Sequence, residues 1–212
     1  MLDASNKVSS LAVPRRSSWL KTLHLWHWIS SALCLLGMLM FSLTGFTLNH
    51  ATQIEADPKI VNQRAVVSPD VLRDLNAAVD SQQLPVSFRD WLNRSWRIDP
   101  SPDTAEWSTE ELYLPMPRPG GDAWLRVDLA TGEAEYELTD RGWISYLNDL
   151  HKGRNAGGAW SWFIDIFAAL CLVFSITGLL ILKFHAVNRP LTWPMVGLGI
   201  IVPVLLVLLL VH

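Results

Sequence analysis

Three long stretches of the chain carry almost no charge, and they constrain its fold more than any other feature. Residues 22–54 and 190–212 contain no Asp, Glu, Lys or Arg, and residues 160–182 contain only Asp165. A bilayer core about 30 Å thick is crossed by roughly 20 apolar residues in a helix. The pattern therefore predicts three transmembrane helices. They comprise residues 26–48, 160–183 and 193–211.

The first apolar stretch follows a basic flank, which is also typical of a cleaved signal peptide. Its apolar region is longer than the core of a signal peptide. The sequence GFTLNHATQ after it lacks small residues at the spacing of a cleavage site. We therefore expect an uncleaved membrane anchor.

Basic residues predict the orientation of the helices in the membrane. Segment 1–25 carries four Lys or Arg against one Asp, and the turn 184–192 carries Arg189. Segment 49–159 holds eighteen of the 20 acidic residues and is long enough to be translocated whatever its charge. The N-terminus and the 184–192 turn are therefore expected in the cytoplasm, and segment 49–159 and the C-terminal His212 outside.

Segment 49–159 has the patterning of a small α+β domain inserted between the first two spans. Apolar spacing predicts a helix over residues 68–79, capped by Ser68, and a second helix over 87–93. Period-two alternation then predicts strands, separated by turns rich in Pro and Gly. The predicted strands are residues 112–114, 124–129 and 134–138.

The inserted domain shows no catalytic constellation in its sequence. It contains no Cys, and its two histidines, His50 and His151, lie at its junctions with the spans. Binding or positioning is therefore expected of it rather than bond-making. Cys34 and Cys171 fall within predicted spans without metal-type spacing, which indicates packing residues. No basic patch interleaved with aromatic residues suggests nucleic-acid binding.

Five of the six histidines lie at predicted membrane boundaries. An interfacial histidine is ordinarily an amphipathic residue placed where polarity changes. Here, however, each membrane face receives histidines from two spans, and two facing imidazoles can ligate a haem iron. The pattern predicts one or two haems. The inner ligands would be His24 or His27 with His185, and the outer ligands His50 with His151.

Helical phase compares the two candidates at the start of the first span. At about 100° per residue, His24 lies roughly 80° around the helix from His50, and His27 roughly 140°. The comparison favours His24 as the inner ligand, although one irregular turn would erase the difference. Both residues stay open as candidates.

Several segments together resemble a known family. LHLWHWISSAL and TGFTLNHA in the first span, VDLATGE before LNDLHKGRNAG, and DIFAALCLVFSITGLLIL in the second span look like the PepSY-associated transmembrane proteins. The resemblance covers nearly all of the chain after its N-terminal segment. It implies an integral membrane protein of the bacterial inner membrane with a periplasmic PepSY-like domain and histidines that bind b-type haem.

The resemblance also implies an activity, because characterised relatives include haem-containing reductases of iron–siderophore complexes. Electrons would pass outward to a periplasmic ferric siderophore in iron acquisition. The implied axial ligands of the haem iron are His24, His50, His151 and His185. Arg154, with Lys152, would anchor haem propionates or attract an anionic chelate. Quinol or a redox partner protein is the expected electron donor, since no dinucleotide-binding glycine motif follows a strand.

Two other functions remain open from the sequence. The chain could be a haem-free anchor that presents a PepSY-like binding or inhibitory domain to a periplasmic partner. It could also be an electron-transfer subunit without a substrate site of its own. Longer reductases of this kind have four or more spans, so a homodimer could complete a site that three spans leave unfinished.

Overall fold

The computed structural model describes residues 14–54, 57–101 and 104–211. Predictions for residues 1–13 and for His212 lie outside these described residues. The elements are, in chain order, α1 (Pro14–Asn49), β1 (Lys59–Val66), α2 (Pro69–Ala78), α3 (Val86–Trp96), β2 (Glu106–Trp107), β3 (Glu111–Pro115), β4 (Gly121–Asp128), β5 (Glu133–Asp140), α4 (Gly142–Lys152), α5 (Gly157–His185), a 3-10 turn (Ala186–Asn188) and α6 (Thr192–Leu210).

The prediction of three apolar helices is confirmed. The stretches that are long and apolar enough to cross a membrane are Ser18–Asn49, Gly157–His185 and Thr192–Leu210. They lie in α1, α5 and α6, and α1 extends well beyond the predicted residues 26–48 on its N-terminal side. The chain divides into two compact units, Met1–Leu39 with Asp165–His212, and Met40–Ile164.

In the first unit, α1 and α5 approach each other through small residues. Cys34 and Ser30 of α1 are 0% and 1% exposed. Gly37 lies so close to the ring of Phe167 that a Cβ at this position would overlap the ring. Small residues of this kind let helix backbones approach where no hydrophobic effect drives association. None of the residues of α6 is buried.

In the second unit, the strands form one antiparallel sheet in the order β1-β5-β4-β3-β2. Alternate side chains of β3 and β4 point to one face, as the period of two requires. Helices α2 and α3 supply the residues that cover this face. The fully buried side chains of the domain core are Leu75, Phe88, Leu92, Leu112, Leu114, Leu125 and Val127.

The predicted hairpin around the sequence VDLATGE is present between β4 and β5. The carboxylate of Asp128 accepts the backbone N–H groups of Ala130 and Thr131 at 2.9 and 2.8 Å. Hydrogen bonds to the charged carboxylate, above all from Thr131, hold the pKa of Asp128 below its ordinary value. This side chain therefore stabilises the turn that sets the register of β4 with β5.

Three details differ from the sequence-based expectations. Ser68 occupies the N-cap position of α2, but its side chain makes no capping hydrogen bond. The helix predicted at residues 87–93 extends over Val86–Trp96. The strands β1 and β2 and the helix α4 were not predicted, and α4 carries His151 in its last turn.

The core predicts a large stability difference between two neighbouring substitutions in α3. Phe88→Ala removes a side chain that is 0% exposed, whereas Val86→Ala trims one that is 70% exposed. We expect Phe88→Ala to lower the free energy of unfolding of the domain by about 3–5 kcal/mol. Val86→Ala should change it by less than about 0.5 kcal/mol. Urea unfolding of the full chain in detergent, followed by tryptophan fluorescence, measures both; equal values would contradict this core.

Candidate functional site

A five-residue pattern, Phe-Ser-x-Thr-Gly, occurs twice in the apolar helices. It reads FSLTG at residues 41–45 in α1 and FSITG at residues 174–178 in α5. Each copy contacts a histidine from another helix through its Phe, Thr and Gly. We call residues 41–45 the α1 notch and residues 174–178 the α5 notch.

The α5 notch holds His27 of α1. The Nδ1 atom of His27 lies 3.0 Å from Oγ1 of Thr177 and 3.2 Å from the backbone oxygen of Phe174. Its ring stacks on the ring of Phe174, with centroids 4.7 Å apart and planes inclined by 15°. A Cβ at Gly178 would lie 3.2 Å from Cε1 of His27, which is tighter than an ordinary contact, so glycine gives the ring more room here.

The α1 notch holds His151 of α4 in the same way. The Nδ1 atom of His151 lies 2.7 Å from Oγ1 of Thr44. The rings of His151 and Phe41 have centroids 5.0 Å apart. A Cβ at Gly45 would lie 3.4 Å from Cε1 of His151. The same three residue types therefore surround the same edge of each histidine ring.

The hydrogen bonds of the two threonines determine where each histidine carries its proton. Thr44 donates its hydroxyl proton to the carbonyl of Met40 at 3.0 Å, and Thr177 donates to the carbonyl of Val173 at 2.7 Å. Each hydroxyl oxygen is then left to accept, so Nδ1–H of the histidine donates to it. With Nδ1 engaged in this way, Nε2 is the ring nitrogen left for another partner.

His24 and His185 form a pair between α1 and α5. Their ring centroids are 5.9 Å apart and their planes are inclined by 82°. Nδ1 of His24 donates to the carbonyl of Leu20 at 2.8 Å, and Nδ1 of His185 to that of Ile181 at 2.9 Å. The Nδ1 atom of each ring is thus held by its own helix, as it is in histidines that ligate a metal through Nε2.

The separation of these two rings is compatible with one metal held between them. Imidazole nitrogens bind metals at about 2 Å, so two rings on opposite sides of one metal have centroids about 6 Å apart. His24 and His185 match this separation. Over the described ranges, no group of three or more His, Cys, Asp or Glu could hold a metal ion.

The other predicted pair is not joined by a ring contact. The ring of His50 lies 4.5 Å from that of Phe46, and its Nδ1 atom donates to the carbonyl of the same residue at 3.0 Å. Within the described part of the second unit, His50 and His151 share no ring contact. The structure thus brings the inner pair of histidines together and leaves the outer pair apart.

Arg154 and Lys152 lie at the end of α4, next to His151. Gly153 ends this helix in the left-handed conformation, with φ of 67°. The backbone N–H of Arg154 then donates to the carbonyl of Asp149 at 2.9 Å. Both side chains are exposed, and neither has an ion-pair partner among the described residues. Two cations are therefore open to an anionic ligand.

Sequence reasoning missed the two threonines and the helix that supports His151. Thr47 of α1 donates to Oδ1 of Asn148 in α4 at 2.8 Å, which adds a second polar contact between these helices. Trp160 donates its ring N–H to the carbonyl of Leu150 at 2.8 Å. The repeated pentapeptide is visible in the sequence, and it is the signal that would have identified Thr44 and Thr177.

The notch geometry predicts that the hydroxyl of Thr44 stabilises the chain. Thr44→Val keeps the shape of the side chain but leaves Nδ1–H of the partly buried His151 without its acceptor. We expect a loss of about 1–3 kcal/mol in the free energy of unfolding. Thr44→Ser retains the hydroxyl and serves as the control. Chemical unfolding in detergent gives the values, and a Val variant as stable as the Ser variant would contradict the assignment.

Comparison with known proteins adds the family. The model of the PepSY_TM-like family matches residues 18–212, which includes every apolar helix and the inserted sheet domain. No curated protein matches the chain. No solved structure matches it either. Because the match covers almost the whole sequence, the chain belongs to the PepSY_TM-like family.

Proposed function

We propose that this chain is a multi-pass membrane protein of the bacterial inner membrane that carries electrons through b-type haem. Membrane insertion is supported by the exposed apolar surface of its long helices. All residues from Leu198 to Val211 are exposed, and nearly all are apolar. A bilayer removes such surface from water at no cost to the protein. The basic residues orient the N-terminus and the 184–192 turn toward the cytoplasm.

The observation that carries the haem proposal is the pairing of His24 with His185. The two rings come from different apolar helices and stand 5.9 Å apart, and the described residues around them add no third ligand. When bound, haem supplies an iron that accepts and donates one electron at a time. The two histidines would hold it through Nε2, and the Nδ1 bonds to their own helices keep the rings oriented.

His27 has a different role in this proposal. Its ring is stacked on Phe174 and hydrogen-bonded to Thr177, so it joins α1 to α5 in the first unit. His24 lies one helical turn earlier in α1 and contacts His185 directly. We therefore assign the inner ligands to His24 and His185, and the packing of the helices to His27.

A second haem would use His151 and His50. Thr44 fixes the tautomer of His151 so that Nε2 is available, as Thr177 does for His27. His50 follows the α1 notch on the same helix, much as His185 follows the α5 notch. Binding of haem would require the rings of His50 and His151 to move into a facing arrangement.

The proposed acceptor is a ferric siderophore in the periplasm. Reduction to Fe(II) weakens binding by the hard oxygen ligands that suit Fe(III), so iron would be released without breaking the chelator. The exposed Lys152 and Arg154 beside His151 would attract an anionic chelate or anchor haem propionates. Electrons would enter from quinol or from a redox partner protein.

The inner ligand assignment predicts different outcomes for three histidine variants. His24→Ala and His185→Ala each remove an axial ligand, and we expect haem affinity to fall at least about tenfold. Loss of a residue that only hydrogen-bonds to a ligand already lowers affinity by about that factor. His27→Ala should retain haem and lower the melting temperature instead. Reduced-minus-oxidised spectra and the haem-to-protein ratio of protein purified from haem-replete cells measure the effect.

Lys183→Ala is the matched control, because Lys183 is an exposed residue of the same last turn of α5. Full haem content in His185→Ala would remove this pair from the proposal. A colourless wild-type protein would overturn haem binding altogether. It would then favour a haem-free anchor whose sheet domain binds a periplasmic partner, which a stoichiometric partner recovered with the full chain would support.

The outer pair makes a separate prediction. His151→Ala should remove one of two haem signals and lower the haem-to-protein ratio by about half, because each site needs two axial ligands. Lys152→Ala should keep the ratio and weaken reduction of an anionic ferric chelate. Redox titration distinguishes the two haems by their potentials. An unchanged ratio in His151→Ala would remove His151 from the set of haem ligands.

A further inference from the structure

The sheet of the second unit ends in an open edge at β1. This strand pairs with β5 only, in an unbroken register from Lys59 opposite Asp140 to Val66 opposite Glu133. Among the described residues, no backbone hydrogen bond reaches its other edge. Eight residues without proline or bulge therefore present unpaired N–H and C=O groups, which is a template for a further strand.

The opposite edge of the sheet is protected, and β1 is not. The edge strand β2 has only two residues, Glu106 and Trp107. Proteins usually shield edges by short strands, prolines, bulges or charged side chains, above all Lys. In β1 the lysine, Lys59, stands at the first position of the strand. In β1 the guanidinium of Arg64 forms an ion pair with Glu135 of the neighbouring strand, with 2.8 Å between nitrogen and oxygen. Its charge is therefore directed toward β5 and not toward the open edge. Exposed apolar side chains flank it instead. They are Ile60, Val61 and Val66, which are 56%, 45% and 67% exposed.

We propose that β1 is the pairing site for a second copy of this chain. The two β1 strands would run antiparallel about a two-fold axis through Gln63. The two sheets would then join into one continuous sheet. Such an interface is self-complementary, because every contact between two residues is repeated with the copies exchanged. The proposal concerns the sheet domain alone and does not depend on haem.

The sequence of β1 fits itself in this register. Pairing centred on Gln63 sets Ile60 opposite Val66 and Val61 opposite Ala65 of the other copy, so apolar residues meet apolar residues. Asn62 stands opposite Arg64, and its amide oxygen can accept from the guanidinium. Neither Lys59 nor Arg64 faces a cation directly, and like charges directly opposite are what destabilise a pair.

Membrane anchoring favours a second copy over an unrelated segment. Two copies anchored by the same three helices present β1 at the same height above the bilayer. Their encounter is confined to two dimensions, which raises the effective concentration of one edge for the other. A segment of another protein at this edge is an outcome that the tests below distinguish.

Charge substitutions at the predicted opposing positions test the register. Full-length chains with Ile60→Lys and Val66→Lys would oppose like charges twice across the axis, and so would chains with Ile60→Glu and Val66→Glu. We expect each double variant alone to dimerise at least about tenfold more weakly than wild type. A mixture of the two should recover dimers, because Lys then meets Glu. Light scattering of the detergent-solubilised chains at several concentrations measures this.

Cysteine cross-linking gives a second measurement that does not depend on weakened binding. In a Cys34→Ala, Cys171→Ala background, Gln63→Cys places one thiol of each copy at the axis. We expect at least about tenfold more linked dimer with a short bismaleimide than for Glu106→Cys on the opposite edge, because pairing raises the effective concentration of the thiols. The melting temperatures of all variants confirm that they are folded.

A wild-type chain that stays monomeric in detergent and in native membranes would overturn the proposal. Dimers that persist unchanged in both charged variants, or that link equally at Gln63→Cys and Glu106→Cys, would place the contact elsewhere and also overturn it. Recovery of a different protein linked to Gln63→Cys in membranes, without linked dimer, would assign the edge to that protein instead.

Discussion

A polar side chain between apolar helices must find its hydrogen-bond partner within the protein, because hydrocarbon offers none. The two notches meet this requirement in one way. The hydroxyl of a threonine donates its proton to a carbonyl of its own helix, and its oxygen faces a histidine. The glycine beside it leaves space for the ring. The contact joins α1 to α5 in the first unit and α1 to α4 in the second, and it engages the Nδ1 atom of each histidine.

The elements that could be predicted from the sequence are those whose two faces differ. The strands β3 and β4 alternate between the core and the surface, and α2 shows apolar residues at helical spacing. Strand β1 was not predicted because nearly every residue in it is exposed, so burial imposes no alternation of apolar and polar residues on KIVNQRAV. Helix α4 escaped because it begins with a glycine and ends at the basic segment HKGR, which resembles a loop.

The candidate site shows the same limit more sharply. The histidines at the ends of the apolar stretches were evident, but their partners depend on the relative register of two helices far apart in sequence. Phase along α1 compared His24 with His50, whereas the contact of His24 is with His185 on α5. The periodicity of apolar residues within one helix does not reveal how that helix is aligned with another helix. The repeated pentapeptide is the exception, since a local pattern marks both places where a histidine docks.

One consequence follows from the exposure of α6. Its residues from Leu198 to Val211 are all exposed. The order of leucine, valine and isoleucine there carries no packing information, and only the total apolar content matters to the solvent around it. Related sequences should therefore exchange leucine, valine and isoleucine freely along this helix. In α1 and α5, by contrast, the glycines and threonines of the notches should be kept at their positions.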